Sequence, residues 1–147
     1  MSNWCEGNLR IRGTVKQIRE FMRLAVDLDA IKKYIETDTS LDIYLKRGAT
    51  WIIGSQRAFI MGEICITANS PREKKSAALA YMSASNAEPA ILLALARESG
   101  VDIKLYAFER GQQFNRNIEI IGGKLVKDET IEFDDYDWEC ICPLIGR

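Results

Sequence analysis

The chain has 147 residues, 20 Lys and Arg against 21 Asp and Glu, 47% hydrophobic residues and no histidine. That length suits a single globular domain, 1–147, able to bury a core without disulfides or a metal. The missing histidine excludes Ser-His-Asp and Cys-His nucleophile activation, His metal ligation and imidazole acid-base work, leaving carboxylate chemistry, cysteine chemistry or none.

Taken in chain order, residues 4–12 set Leu9 and Ile11 between Asn8, Arg10 and Arg12, the alternation of a half-buried strand. Thr14 with Gln17 forms a capping box, and Val15, Ile18, Phe21, Met22 and Ala25 follow at helical spacing. Leu24, Leu28, Ile31 and Ile35 extend that spacing, so the helix either runs to about 35 or breaks near Asp27 and Asp29. Leu41, Ile43 and Leu45 mark a second strand, and 57–68 a third, with Ala58, Ile60, Gly62, Ile64, Ile66 and Ala68 on one face. Ser70, Pro71 and Glu73 read as the start of a helix over 72–85, with Ala77, Ala78, Tyr81 and Met82 as its buried stripe. Ser85 and Glu88 read as the cap of the next helix, which Gly100 stops. Residues 101–107 alternate as a strand. The runs 114–121 and 124–127 flank Gly122-Gly123 as a hairpin, and 130–142 offer one or two further strand pieces.

This order predicts an α+β fold. It reads as a ferredoxin-like split βαβ sandwich with helices on one face of a mainly antiparallel sheet, an inserted extra helix and a β-rich C-terminal tail. Four segments resemble the YubB-type ferredoxin-like family of phage, plasmid and integrated-element proteins. They are Asn3-Trp4-Cys5 with residues 8–13, the run 66–71, residues 106–111 with Phe114, and Tyr136-Asp137-Trp138. Asn69 departs from that pattern where an aromatic residue is expected, and 72–85 departs as the inserted helix. The resemblance implies a fold and a mobile-element origin in a bacterial host. It carries no catalytic residues with it.

Charge locates the candidate sites. Residues 1–75 hold 13 basic and 9 acidic side chains, a net of +4, whereas 76–147 hold 7 and 12, a net of −5. The acid is concentrated in Asp128, Glu129, Glu132, Asp134, Asp135, Asp137 and Glu139, with Trp138 among them, and no basic residue intervenes. Three readings are open for that segment: a solvated strand edge, a protein-binding or nucleic-acid-mimicking surface, or paired catalytic carboxylates. Calcium is disfavoured because no Asp-x-Asp-x-Asp-Gly loop is present.

A second candidate is basic, with Arg72, Lys74 and Lys75 at the expected helix start and Arg47 and Arg57 elsewhere in that half. Strand aromatics at Phe59, Tyr106 and Phe108 allow nucleic acid on an open sheet face. Trp4, Trp51 and Trp138 are the interface residues to watch. Cys5, Cys65, Cys140 and Cys142 read as free thiols in a reducing compartment. A four-cysteine zinc site requires all of them to meet, and Cys140 with Cys142 lacks Cys-x-x-Cys spacing.

The leading expectation is a small non-catalytic accessory protein without cofactor or metal, cytoplasmic, binding a host protein or nucleoprotein complex through the acidic surface. Host-defence inhibitors of the anti-restriction or anti-CRISPR kind are a subclass that fits. The alternative is a nucleic-acid-binding accessory protein that uses the open sheet face and the basic helix start. The start of the chain is too polar for a secretory signal, and no stretch reaches the roughly 18 apolar residues of a membrane span. Unpaired strand edges leave a homodimer open.

Overall fold

A computed structural model describes residues 3–46 and 48–139. Its first strand, β1, is Trp4–Gly13, and the helix α1, Val15–Ala25, follows at once. The capping box forms as expected: the Gln17 N–H donates to Thr14 Oγ1 at 3.2 Å, and the Thr14 N–H to Gln17 Oε1 at 2.9 Å. The helix breaks at the earlier of its two expected ends. Val26 is extended, and the Asp27 carboxylate caps a 3₁₀ turn, Leu28–Ala30, by accepting from the Asp29 N–H at 3.0 Å. Leu28 is therefore left 71% exposed, and the chain continues as strand β2, Ile31–Glu36, not as helix.

Strand β3, Ser40–Leu45, falls where alternation placed it, and a short β4, Thr50–Trp51, follows. The expected single strand over 57–68 is two, β5 (Ala58–Met61) and β6 (Glu63–Thr67). Gly62 between them has φ +117°, a conformation open mainly to glycine, and turns the chain from one sheet into another. The even-numbered apolar residues keep their inward face on both sides of this turn.

The expected helix over 72–85 is a strand, β7, Lys75–Ala84. Ser70 and Glu73 form a turn, with the Glu73 N–H donating to the Ser70 carbonyl at 3.2 Å and the Glu73 carboxylate receiving Asn69. The residues that disappear inward are Ala77, Leu79, Tyr81 and Ser83, with period two. Alanine's helical preference is worth only tenths of a kcal/mol per residue, and pairing on both edges with one buried face outweighs it.

The next helix, α2, is Pro89–Ser99 and ends at Gly100 in the left-handed region, as expected. Its expected cap does not form. Ser85 sits at φ 69°, and the Glu88 carboxylate instead accepts the backbone N–H groups of Gln56 and Arg57 at 2.8 and 3.1 Å. Strands β8 (Asp102–Glu109), β9 (Phe114–Ile121) and β10 (Lys124–Glu132) complete the sheet. Gly122 and Gly123 both have positive φ in the β9–β10 turn, as a two-residue hairpin requires. The part of the tail that follows β8 is β-rich as expected, since the β9–β10 hairpin continues as strand through Glu132. The described residues after Glu132 are not strand. They include one helical turn, α3, Tyr136–Glu139, and the expected strand piece at 140–142 lies outside the described residues.

The fold is mixed α+β with antiparallel sheets. Seven strands run in the order β10-β9-β8-β1-β7-β5-β4, and three in the order β2-β3-β6. Strands β7 and β8 flank β1 and point the same way, joined by α2. One buried cluster unites the inward residues of β1, β7 and β8 (Leu9, Ile11, Leu79, Leu105) with α1 (Ile18, Phe21, Met22), α2 (Leu92, Leu95) and the small sheet (Leu41, Ile43, Ile64). Both helices thus share the inner face of the large sheet. No described helix is long and apolar enough to cross a membrane.

Candidate functional site

Alternation along each strand and the register between strands decide what the other face of the seven-stranded sheet displays. Directly paired residues give ordered rows across it. One runs Phe59, Met82, Glu6, Phe108, Asn115, Ile131; the next Met61, Ala80, Asn8, Tyr106, Asn117, Glu129. A third runs Ala78, Arg10, Lys104, Glu119, Lys127, and a fourth begins Ser76, Arg12, Asp102. Neither α1 nor α2 packs over these rows, and the face is open except where the tail returns to it with α3.

That return is specific. Tyr136 of α3 is buried against Phe108 and Phe133, its ring edge-on to Phe133 at 5.5 Å. Its hydroxyl donates to Asn115 Oδ1 at 2.8 Å, and Asn115 Nδ2 donates to the Tyr106 hydroxyl at 2.8 Å. This chain fixes the α3 turn at one border of the open face and holds the Tyr106 ring in place.

The acidic segment therefore has two parts. Asp128 is a structural carboxylate paired with the buried Arg116, whose other Nη donates to Asn86 at 2.6 Å. Glu129, Glu132, Asp134, Asp135, Asp137 and Glu139 are all exposed, and Trp138 is 86% exposed beside them. Glu129 projects from the open face on its edge strand, Glu132 pairs with the inward-facing Phe114, and the carboxylates from Asp134 to Glu139 lie along the α3 turn at the border of that face.

The basic residues do not gather as the helical reading required. Arg72, Lys74 and Lys75 occupy the turn and first residue of β7, and Lys75 lies 3.6 Å from Glu73. Arg57 lies at the far end of β7, with its guanidinium 5.5 Å from the centre of the Trp4 ring. Trp4 itself is edge-on to Phe59 at 6.0 Å, and Trp51 on β4 is 46% exposed. Arg47 lies outside the described residues.

The structure adds a group that the linear sequence could not assemble. Arg10 and Lys104 stand directly opposite each other, and Asn8, Tyr106 and Asn117 cross the sheet beside them, together lining a depression of about 410 Å³. Asn117 Oδ1 is buried there without a hydrogen-bond partner. Lys104 is relieved by Glu119 at 3.2 Å, and Arg12 by Asp102 at 2.9 Å. The signal for these residues was present as the outward half of each alternating strand; which strands would be neighbours was not.

Asp102 ties this corner together. Its partial burial opposes ionisation, but the Gly122 N–H at 3.0 Å and Arg12 outweigh it and hold the carboxyl below its ordinary range. A depressed carboxyl contributes stability above its unfolded value of about 3.9, lost as pH falls through the folded value. Asp102→Asn is therefore expected to melt about 2 °C below the parent at pH 7, the size of a surface ion pair, and by a smaller margin at pH about 3, below the unfolded value. Thermal melts at both pH values check this; an equal gap at each would contradict the assignment.

Among the described residues, Cys5 and Cys65 do not share a site. Cys5 points into the core from β1, where burial pushes its thiol up to about 12, far from the thiolate a metal needs. Cys65 is exposed on β6 in the other sheet, donating to the Tyr44 hydroxyl at 3.3 Å. Cys140 and Cys142 lie outside the described residues. Among the described residues, no three Cys, Asp or Glu side chains form a metal-holding group. Compared with known proteins, the chain matches no family model, no curated protein and no solved structure.

Proposed function

We propose that this chain is a non-catalytic accessory protein that works by holding a macromolecule of a bacterial host on the open face of its large sheet, with the acidic α3 turn as the charged border of the contact. The observation that carries this reading is the uncovered face itself. Trp4, Trp51, Phe59 and Met61 at one end supply the aromatic and thioether surface from which protein interfaces are built. Asp134, Asp135, Asp137 and Glu139 supply like charge at another border. Ion pairing neutralises much of the face between them, which suits a protein or nucleoprotein partner better than bare phosphate.

Within the same proposal, the order β8-β1-β7-β5, with α2 joining the two strands that flank β1, supports reading the central strands as a ferredoxin-like split βαβ unit. On that reading β7, formerly the inserted helix, is an integral strand of the unit. Together with the resemblance to YubB-type proteins, this favours a phage, plasmid or integrated-element origin and work in the host cytoplasm. An inhibitor of host defence is then the apt subclass, since a row of carboxylates can occupy a channel made for nucleic acid.

The test is capture of host proteins by the tagged chain and by the triple variant Asp134→Asn, Asp135→Asn, Asp137→Asn. These side chains are exposed, so the variant should fold within about 0.5 kcal/mol of the parent. A partner enriched by the parent is expected to be lost from the variant, and its binding to the parent to weaken with salt. A partner held equally by both would remove the acidic border from the contact.

A second reading, nucleic acid on the same face, rests on one specific observation: Arg10 opposite Lys104 beside the Tyr106 ring, an arrangement suited to a phosphate and a stacked base. The basic helix start no longer belongs to it, because Arg72, Lys74 and Lys75 do not begin a helix. A gel shift with single-stranded DNA and RNA at low salt discriminates the two. Retardation abolished by Arg10→Ala would favour nucleic acid, and free probe at tens of micromolar protein would eliminate it.

A further inference from the structure

The outer edge of β10 is the longest unprotected edge in the described structure. It is a nine-residue strand paired on one side only, with no proline, and with nearly every residue solvent-exposed. Leu125 and Ile131 are exposed on it, and Val126 is 55% exposed. Such an edge presents unpaired N–H and C=O groups to any strand that can match it.

Its sequence says which strand that is. The first half, Lys124-Leu125-Val126-Lys127, carries only positive charge, and the second, Glu129-Thr130-Ile131-Glu132, only negative. Laid antiparallel on itself about Asp128, the strand sets each Lys127 against a Glu129 and each cationic half against an anionic one. A parallel arrangement, or an antiparallel one centred on residue 127 or 129, sets like charge on like.

Two structural details agree with the centre at Asp128. Lys127 and Glu129 pair with Glu119 and Asn117 of β9, so both project from the open face and meet on one side. The two Asp128 carboxylates that would face each other are each already neutralised by Arg116 of their own chain. A bulge between Leu125 and Lys127 shifts the outer pairs but leaves the central ones in place.

We infer that β10 is a self-pairing edge: two copies of this chain join antiparallel through it, about a two-fold axis at Asp128, into one continuous fourteen-stranded sheet with both open faces on the same side. The partner is a second copy because the strand is complementary to itself in charge. The contact is smaller than the roughly 1,200 Å² of standard interfaces, so association is weak and concentration-dependent. The inference does not depend on what the open face binds.

Sedimentation velocity on the full chain, from about 1 to 200 µM, tests it. The parent is expected to move from monomer to dimer across that range. Lys127→Glu, at a half-buried position beside Glu119, and Glu129→Lys, at an exposed one, are each expected to weaken dimerisation at least about tenfold. An equimolar mixture of the two single variants, and the double variant carrying both changes, are expected to recover it, because each restores opposite charge across the axis. Circular dichroism confirms that each variant is folded. A parent that stays monomeric at the highest concentration overturns the proposal. So do single variants that dimerise like the parent, or a mixture and double variant that both fail to recover.

Discussion

Replacing Leu79 by lysine is expected to abolish the cooperative fold, whereas the same replacement one residue earlier, at Ala78 opposite Arg10, should cost no more than about 1 kcal/mol. Leu79 is buried on the inner face of β7, opposite Leu9 of β1, in the middle of the core cluster. Losing its side chain alone costs about 2–5 kcal/mol, and a charge left there without a partner adds several more. That sum is comparable with the entire 5–15 kcal/mol of a typical domain. Ala78 lies on the open face, where a lysine stem can lie along the sheet with its ammonium in water. A helix over the same residues reverses the expectation, since its stripe of Ala77, Ala78, Tyr81 and Met82 buries Ala78 and releases Leu79. Expression, circular dichroism and thermal melts of the two variants therefore decide between strand and helix. Tolerance of Leu79→Lys with collapse of Ala78→Lys would reject the strand.

This segment shows where reading the sequence succeeded and why it failed. Elements carried by a local chemical device were legible. Thr14 and Gln17 close their capping box, Gly100 stops α2, and Gly122-Gly123 turns the last hairpin, because each acts over a few residues. Elements decided by distant partners were not. Lys75–Ala84 contains enough alanine to satisfy a helical period, and only its place between β1 and β5 selects the alternation instead. The break at Gly62 was hidden for a related reason. Strands β5 and β6 keep the same odd-even pattern, although one belongs to the large sheet and the other to the small one.

The candidate site divides along the same line. The exposed acid around Trp138 could be read directly, because a run of charge without counter-charge has few places to go but the surface. Asp128 could not be separated from that run. Its buried partner Arg116 is twelve residues away on the neighbouring strand, and the pair is made by the β9–β10 register. Arg10 and Lys104 are ninety-four positions apart and meet only because β1 and β8 are neighbours. The separation of a basic half from an acidic half is thus partly undone by folding: Arg12 finds Asp102, and the acid that stays unpaired gathers at the border of the open face.

The approach of β1 to β8 that creates this face also sets the other large expected effect, that of Gly7→Ala. Gly7 has no positive φ, so its requirement is steric and not conformational. A methyl group on it would lie 2.0 Å from the Tyr106 carbonyl oxygen and 2.6 Å from the Ala107 Cα, both backbone atoms of the paired strand. A flexible side chain could rotate away from such a contact, but the backbone of β8 is held on its other side by β9. The two central strands must then separate, taking with them the rows through Leu9 and Leu105 that fill the core. Overpacking against movable side chains costs about 1–3 kcal/mol, so a clash with fixed backbone is expected to cost about 3 kcal/mol or more. For a chain of this length that lowers the melting temperature by about 6–12 °C. Gly48→Ala provides the contrast, since nothing lies within 4 Å of its added methyl and only its φ of +88° resists the change. That resistance is worth about 1 kcal/mol and a few degrees. Thermal melts of the two variants side by side measure the difference. A drop for Gly7→Ala no larger than that for Gly48→Ala would mean that β1 and β8 can part without cost, and that the close contact is not what holds the centre of the sheet.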